Sequence, residues 1–234
     1  LTDEQWRYFL QVDVLQLIGG TFFIVQALVL VVRSRRAFMI SVFALAAAVL
    51  GLTHPVWGID WWRIMPGWLA AYMSPARGSL FPLFPWATYV LFGAGLGQIY
   101  VGWGAARLAS YTAYVLFAPG VVLSVLGWGL AAIEEGPWGP DAWNFMPIQL
   151  AIRIGACLIL LAAIARASQR LTRLPRFFSA VAQETLPIYF VHLCIVYGSI
   201  WNNGLAIWYA GALGPMATLA CVLFLLVAMA ALGW

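Results

Sequence analysis

The stretch VLQLIGGTFFIVQALVLVVRSRRAFMISVFALAAAVLGL, Val14 to Leu52, decides the fold. Two apolar runs, Val14 to Val32 and Ala37 to Leu52, flank a joint that holds Arg33, Arg35 and Arg36. A helix needs about 20 apolar residues to cross the hydrocarbon core of a bilayer. The joint therefore reads as a turn at the membrane surface, and its arginines assign that surface to the cytoplasm by the positive-inside bias.

The rest of the chain has the same character. Of 234 residues, 64% are hydrophobic and 9% charged, far from the roughly 25% charged residues of a soluble domain. Five further runs follow the first two: Trp86 to Trp103, Tyr111 to Ile133, Ile148 to Ala165, Leu186 to Ile200 and Ala206 to Leu232. The second and sixth runs are short, and Phe177 to Val181 offers the sixth an extension into its flank. Period-two alternation is absent, which disfavours a barrel, and backbone groups in lipid must then pair within their own segment. The expectation is an all-α integral membrane protein, a polytopic bundle of about seven transmembrane helices forming one domain over residues 1–234.

Arginine sets the orientation, for the chain has twelve Arg and no Lys. Arg33, Arg35, Arg36, Arg107, Arg166, Arg170, Arg173 and Arg176 all fall on one side of the seven-span layout. Asp3, Glu4, Asp13, Asp60, Glu134, Glu135 and Asp141 fall on the other, with Trp57, Trp61, Trp62, Trp68, Trp138, Trp143 and Trp208. Interfacial tryptophan is ordinary anchoring, with sugar stacking as the alternative. The net charge of +4 thus reflects topology and is no nucleic-acid footprint. The first residues lie outside on this layout. The chain opens on Leu1 with no signal-peptide pattern, and the expectation is the interior of a longer product with an odd number of earlier spans. Cys157, Cys194 and Cys221 sit in apolar runs and read as buried small hydrophobes.

Several local patterns stand out. In GSLFPLFPWATYVLFGAGLG, Gly78 to Gly97, Pro82 and Pro85 predict an extended approach with Pro85 opening the helix. Gly93 and Gly97 have small-xxx-small spacing and predict a close helix contact. Arg153 lies inside the fifth span, so it either snorkels outward or faces protein, with Asp60 and Asp141 as partners at similar depth. In ETLPIYFVHLCIVYGSIWNNGL, Glu184 to Leu205, Glu184 and Thr185 are capping candidates and His192 sits in an apolar run with Tyr189, Tyr197 and Ser199. Packing is the first reading of such a histidine and chemistry the second. Asn202 and Asn203 form a polar tip that either turns the chain or touches a sugar.

The segments TLPIYFVHLCIVYGSIWNNGL, LFPLFPW with its glycine-rich helix, and VDVLQLIGGTFFI occur in the order found in the bacterial heparan-alpha-glucosaminide N-acetyltransferase-like family of transmembrane acyltransferases, which this chain resembles from about Val12 to beyond Leu205. The resemblance implies a multi-pass enzyme of the bacterial inner membrane. Such an enzyme takes acetyl-CoA on the cytoplasmic side and passes the acetyl group to an amino or hydroxyl group of a sugar outside. It also implies about three preceding helices carrying the Asn and His of acyl transfer, a region that nothing in this sequence matches; a C-terminal portion, or a form without activity, is the expectation.

On this reading Arg166, Arg170, Arg173, Arg176 and His192 are the coenzyme-side residues, and Asp60, Trp61 and Asn202 the acceptor side. His54 is the candidate base, against the ordinary reading of His-Pro as a helix stop. The arginine loop equally suits lipid head groups or orientation alone. No metal set is proposed. The alternative from another class is a non-enzymatic subunit of a larger membrane complex, docking through Gly- and Trp-rich faces, whereas a lone homo-oligomer would favour the enzyme; a pigment role with His192 as axial ligand is the narrower form of the subunit reading. A transporter is disfavoured by the lack of paired broken helices in matching halves.

Overall fold

The structure, a computed structural model, describes residues 10–103, 105–133, 147–171, 175–198, 202–209 and 211–233. Apart from one bridge between Gly198 and Asn203, the described elements are helices. The chain has the fold of an all-α polytopic bundle. It divides into two compact units, Leu1–Ala167 and Ser168–Trp234.

In the first unit, α1 (Val14–Val31) starts on Asp13, whose carboxylate accepts the Val14 N–H at 2.7 Å. Ser34 caps α2 (Arg35–Trp57) by accepting the Ala37 N–H. This helix does not stop at Leu52 as expected but runs through His54 and Pro55 to Trp57. Proline removes one helical donor, yet the last turn is closed by Gly58 N–H on His54 O at 3.2 Å and Trp61 Nε1–H on Val56 O at 2.7 Å. Two short helices follow, α3 (Trp61–Ile64) and α4 (Gly67–Met73).

The next helix, α5 (Leu83–Trp103), contains Phe84 in a non-helical conformation, so regular turns begin at Pro85, as the prolines predict. Backbone bonds fix its direction. Leu80 and Phe81 N–H donate to Val12 O at 3.1 and 3.0 Å, tying the start of α1 to the start of α5. Trp57 Nε1–H donates to Phe84 O at 3.0 Å, which sets the end of α2 at the same place. Hence α2 runs against both neighbours. Val12, Leu17, Ala46, Val49, Ala71, Ala87 and Leu91 form the core between them.

The contact expected from Gly93 and Gly97 is not made there. A Cβ on either would meet nothing within 4 Å, whereas one on Gly95 would lie 2.7 Å from Cε2 of Phe43. At about 100° per residue, Gly95 faces almost opposite to its two neighbours at i±2, and it is the face with Leu91 that is buried.

Beyond Ala105–Arg107 the chain continues as α6 (Leu108–Tyr111), a π-helical stretch (Thr112–Phe117) and α7 (Ala118–Ile133). The Thr112 hydroxyl donates to Leu108 O at 2.7 Å, and the wider turn closes with Ala118 N–H on Ala113 O. The side-chain bond competes for a helical carbonyl, a known way to loosen a turn. α8 (Pro147–Ser168) runs antiparallel to α7. They cross where a methyl group on Gly155 would lie 2.8 Å from Gly120 O and from Ser124 N, so only glycine permits this approach. Leu96, Tyr111, Leu116, Leu150, Ile154, Leu158 and Ala162 make the second core cluster.

In the second unit, α9 (Arg176–Gln183) and α10 (Thr185–Val196) meet at Glu184 with a bend of 70°. The short sixth run is therefore not lengthened straight into its flank. Glu184 occupies the N-cap without a side-chain capping bond, and Thr185 is already helical. The last run is also divided, into α11 (Leu205–Tyr209) and α12 (Pro215–Leu232), because Gly211 turns the chain at φ +74° and Gly214 caps a helix that opens on proline. A Cβ on Gly233 would lie 2.9 Å from Ile188, so α12 ends where α10 begins.

Where seven spans were expected, the described residues contain five helices long and apolar enough to cross a membrane, or six if the bent pair α9 and α10 is one span. α5 is long enough to span but is not among these helices, since Pro85, Gln98 and its glycines lower its hydropathy. Cys157 is exposed, and Cys194 and Cys221 are half-buried, contrary to the expectation of burial. A thiol on the outer face of an apolar bundle meets no desolvation cost from lipid.

Candidate functional site

Helix directions in the first unit gather its charges at two ends. Arg35 at the start of α2 meets Gln98 near the end of α5: Nε donates to Gln98 Oε1 at 2.9 Å and Nη2 to Gln98 O at 2.8 Å. Arg33 and Arg36 flank it, Arg107 follows α5, and Arg166 lies beside Ala109 and Thr112. The opposite end carries Asp13, Asp60, Trp57, Trp61 and Trp62.

Arg166 borders a cleft of about 490 Å³ between the π-helical stretch and α8, walled by Ala109, Ala113, Phe117, Ile159 and Ala162. Small side chains open the space, and one guanidinium supplies the charge. Arg170 and Arg176 are exposed in the second unit; Arg173 lies outside the described residues. Between the two ends of the first unit, an apolar cavity of about 240 Å³ is lined by Phe43, Ala46, Thr88, Phe92 and Leu150.

His192 is half-buried on α10, with Nδ1 2.9 Å from the carbonyl of Tyr189 one turn back. A carbonyl only accepts, so Nδ1 carries a proton in this contact, and it is the neutral ring that leaves the lone pair on Nε2. The Tyr189 ring lies 5.6 Å away, tilted by 60°.

The acceptor-side residues are individually occupied. Asp60 pairs with Arg63 at 2.9 Å on an exposed surface, and Trp61 closes α2 as described. Asn202 donates to Cys194 O at 2.9 Å, which makes it a cap for the end of α10. The close approach of Gly198, at φ +96°, to Gly204 and the bridge from Gly198 to Asn203 hold it there. His54 is exposed in the last turn of α2. His54, Asp60 and Trp61 thus share one end of the first unit, while Asn202 and His192 belong to the second.

Arg153 does not pair with Asp60, which is held by Arg63; Asp141 lies outside the described residues. Its guanidinium stands 5.6 Å over the Trp86 ring, and its charge acts on the Tyr89 hydroxyl, a buried group with no hydrogen bond of good geometry. An aromatic face offers a cation partial compensation at a membrane depth where water is scarce. The signal missed in the sequence was Trp86 itself, which enters the sequence reading only as the first residue of an apolar run. The Arg35–Gln98 pair was also missed, although Gln98 is the lone amide in an otherwise apolar helix.

Comparison with protein-family models, with curated proteins and with solved structures gave no match to this chain. Among the described residues no cluster of three His, Cys, Asp or Glu side chains is placed to hold a metal ion.

Proposed function

We propose that the chain serves transmembrane acetyl transfer, receiving acetyl-CoA at its arginine end, on the cytoplasmic face of a bacterial inner membrane, for delivery to a sugar amino or hydroxyl group at its tryptophan end. The observation that carries this reading is the cleft of about 490 Å³ with Arg166 at its border and apolar walls. Such a cleft suits a ligand with a phosphate at one end and an uncharged arm behind it. The coenzyme supplies an activated thioester when bound. Arg166 holds a phosphate, the alanines leave room for the arm, and His54 at the other end is the candidate base for the acceptor proton. The two ends of α2, a helix of 23 residues, are roughly 34 Å apart at 1.5 Å per residue. The reading therefore requires donor or acceptor to enter the bundle, where the apolar cavity of about 240 Å³ lies.

Reconstituted in proteoliposomes as the full-length gene product, with any residues that precede Leu1, the protein should move radiolabelled acetyl from acetyl-CoA to glucosamine. Arg166→Gln should raise KM for acetyl-CoA about ten-fold with little change in kcat, the signature of lost binding common to ground and transition states. No transfer by folded, inserted protein refutes the proposal.

A second reading, a non-enzymatic subunit of a larger membrane complex, is favoured by one specific observation: Asn202, Trp61 and His192 each bond a nearby backbone carbonyl, in the last turn of α10, the last turn of α2 and α10 itself. Polar groups used this way build a scaffold. Stoichiometric co-purification with a large assembly in mild detergent, without acetyl transfer, supports that reading.

A further inference from the structure

The start of α2 carries a second basic site, on which the acetyl-transfer reading does not depend. Arg35 is an exposed arginine whose head is nevertheless fixed, since it donates to both the side chain and the backbone of Gln98. Gly102 permits this: a Cβ there would stand 3.3 Å from Arg35 Nη2. The fixed guanidinium separates two clefts. One, of about 610 Å³, is lined by Arg36, Met39, Ile99 and Trp103; the other, of about 540 Å³, by Arg33, Phe38, Val29 and Val101. Each cleft thus has an arginine at its mouth and an apolar wall running back along the helices.

Charge at this end is one-sided. Asp13 and Asp60 are the acids among the described residues of the first unit, and both stand at the opposite end. Exposed arginines gathered around a helix start, without carboxylates, repel one another unless an anion sits among them. At a membrane surface the available anion that also carries a long apolar tail is a phospholipid.

The geometry points to a binding site for anionic phospholipid, with the phosphodiester between Arg35 and Arg33 or Arg36 and an acyl chain lying along Val29 and Phe38 or along Met39 and Ile99. Arg35 is the preset donor, already turned by Gln98, so its ordering cost is met in the protein itself. The two flanking arginines close on the head group.

The test is native mass spectrometry of the full chain released from detergent, titrated with phosphatidylglycerol or phosphatidylcholine. Wild type should retain phosphatidylglycerol preferentially. The variants Arg33→Gln and Arg36→Gln should each reduce that retention about five-fold, as expected for one basic residue at an anionic surface, with Arg36→Lys keeping most of it. Arg77→Gln, at the other end over the Trp62 ring, is the control and should change nothing. Circular dichroism verifies that each variant is folded. Equal retention of the two lipids, or an unchanged Arg33→Gln/Arg36→Gln double variant, overturns the proposal. Complete displacement of phosphatidylglycerol by millimolar inorganic phosphate also overturns it, by assigning the clefts to free phosphate.

Discussion

Gly155 of α8 lies so near Gly120 of α7 that a methyl group on it would stand 2.8 Å from the Gly120 carbonyl oxygen, and the side-chain oxygen of Ser124 closes the same space. Backbone atoms cannot step aside as a flexible side chain does. Gly155→Ala is therefore expected to force the helices apart at a cost of about 1–3 kcal/mol, the usual range for overpacking. Reversible unfolding in mixed micelles should show that loss.

Gly93 and Gly97 give the opposite expectation. An added methyl group on either meets nothing within 4 Å, and alanine is favoured over glycine in a helix by roughly 0.5–1 kcal/mol. Gly93→Ala and Gly97→Ala should be neutral or mildly stabilising by the same measurement. Gly95→Ala should destabilise, because the new carbon overlaps the Phe43 ring. Phe43→Leu added to Gly95→Ala should recover part of the loss.

These glycines show what the sequence carried and what it did not. Hydropathy and arginine placement gave the helical bundle because solvent acts on whole segments, and every residue of a span contributes to the signal. The facing side of a helix is set by partners far along the chain. Three glycines at i, i+2 and i+4 look alike until Phe43 is known to pack on the middle one. Likewise the run Ala206 to Leu232 is apolar throughout, and its division depends on Gly211 adopting a positive φ, which composition does not report. Of the candidate site, Arg166 could be read from its basic loop, whereas the cleft beside it depends on the π-helical stretch Thr112–Phe117.

Trp61 and Asp60 are neighbours with unequal weight. Trp61→Phe removes the Nε1–H bond to Val56 O at the proline-weakened end of α2 and should cost about 1 kcal/mol. Asp60→Asn breaks an exposed pair with Arg63 and should change stability by less than about 0.5 kcal/mol. Thermal melts in detergent compare the two directly.

His192 offers a spectroscopic check. Its Nδ1 faces the Tyr189 carbonyl at 2.9 Å, so ring-labelled protein should give ¹⁵N shifts of the Nδ1–H tautomer when the imidazole is neutral. Shifts of the Nε2–H tautomer would mean that the bond to Tyr189 is absent and the ring is turned toward another partner.

Acetyl transfer as proposed requires the arginine end of the first unit to face the cytoplasm, and labelling tests that orientation most directly. With Cys157, Cys194 and Cys221 replaced by alanine, single cysteines are placed at Arg36→Cys and Asp60→Cys and treated in spheroplasts with a membrane-impermeant maleimide. The account predicts that Asp60→Cys is labelled in intact spheroplasts and Arg36→Cys only after permeabilisation. Labelling of both positions from the same face, or of Arg36→Cys alone from outside, would contradict it.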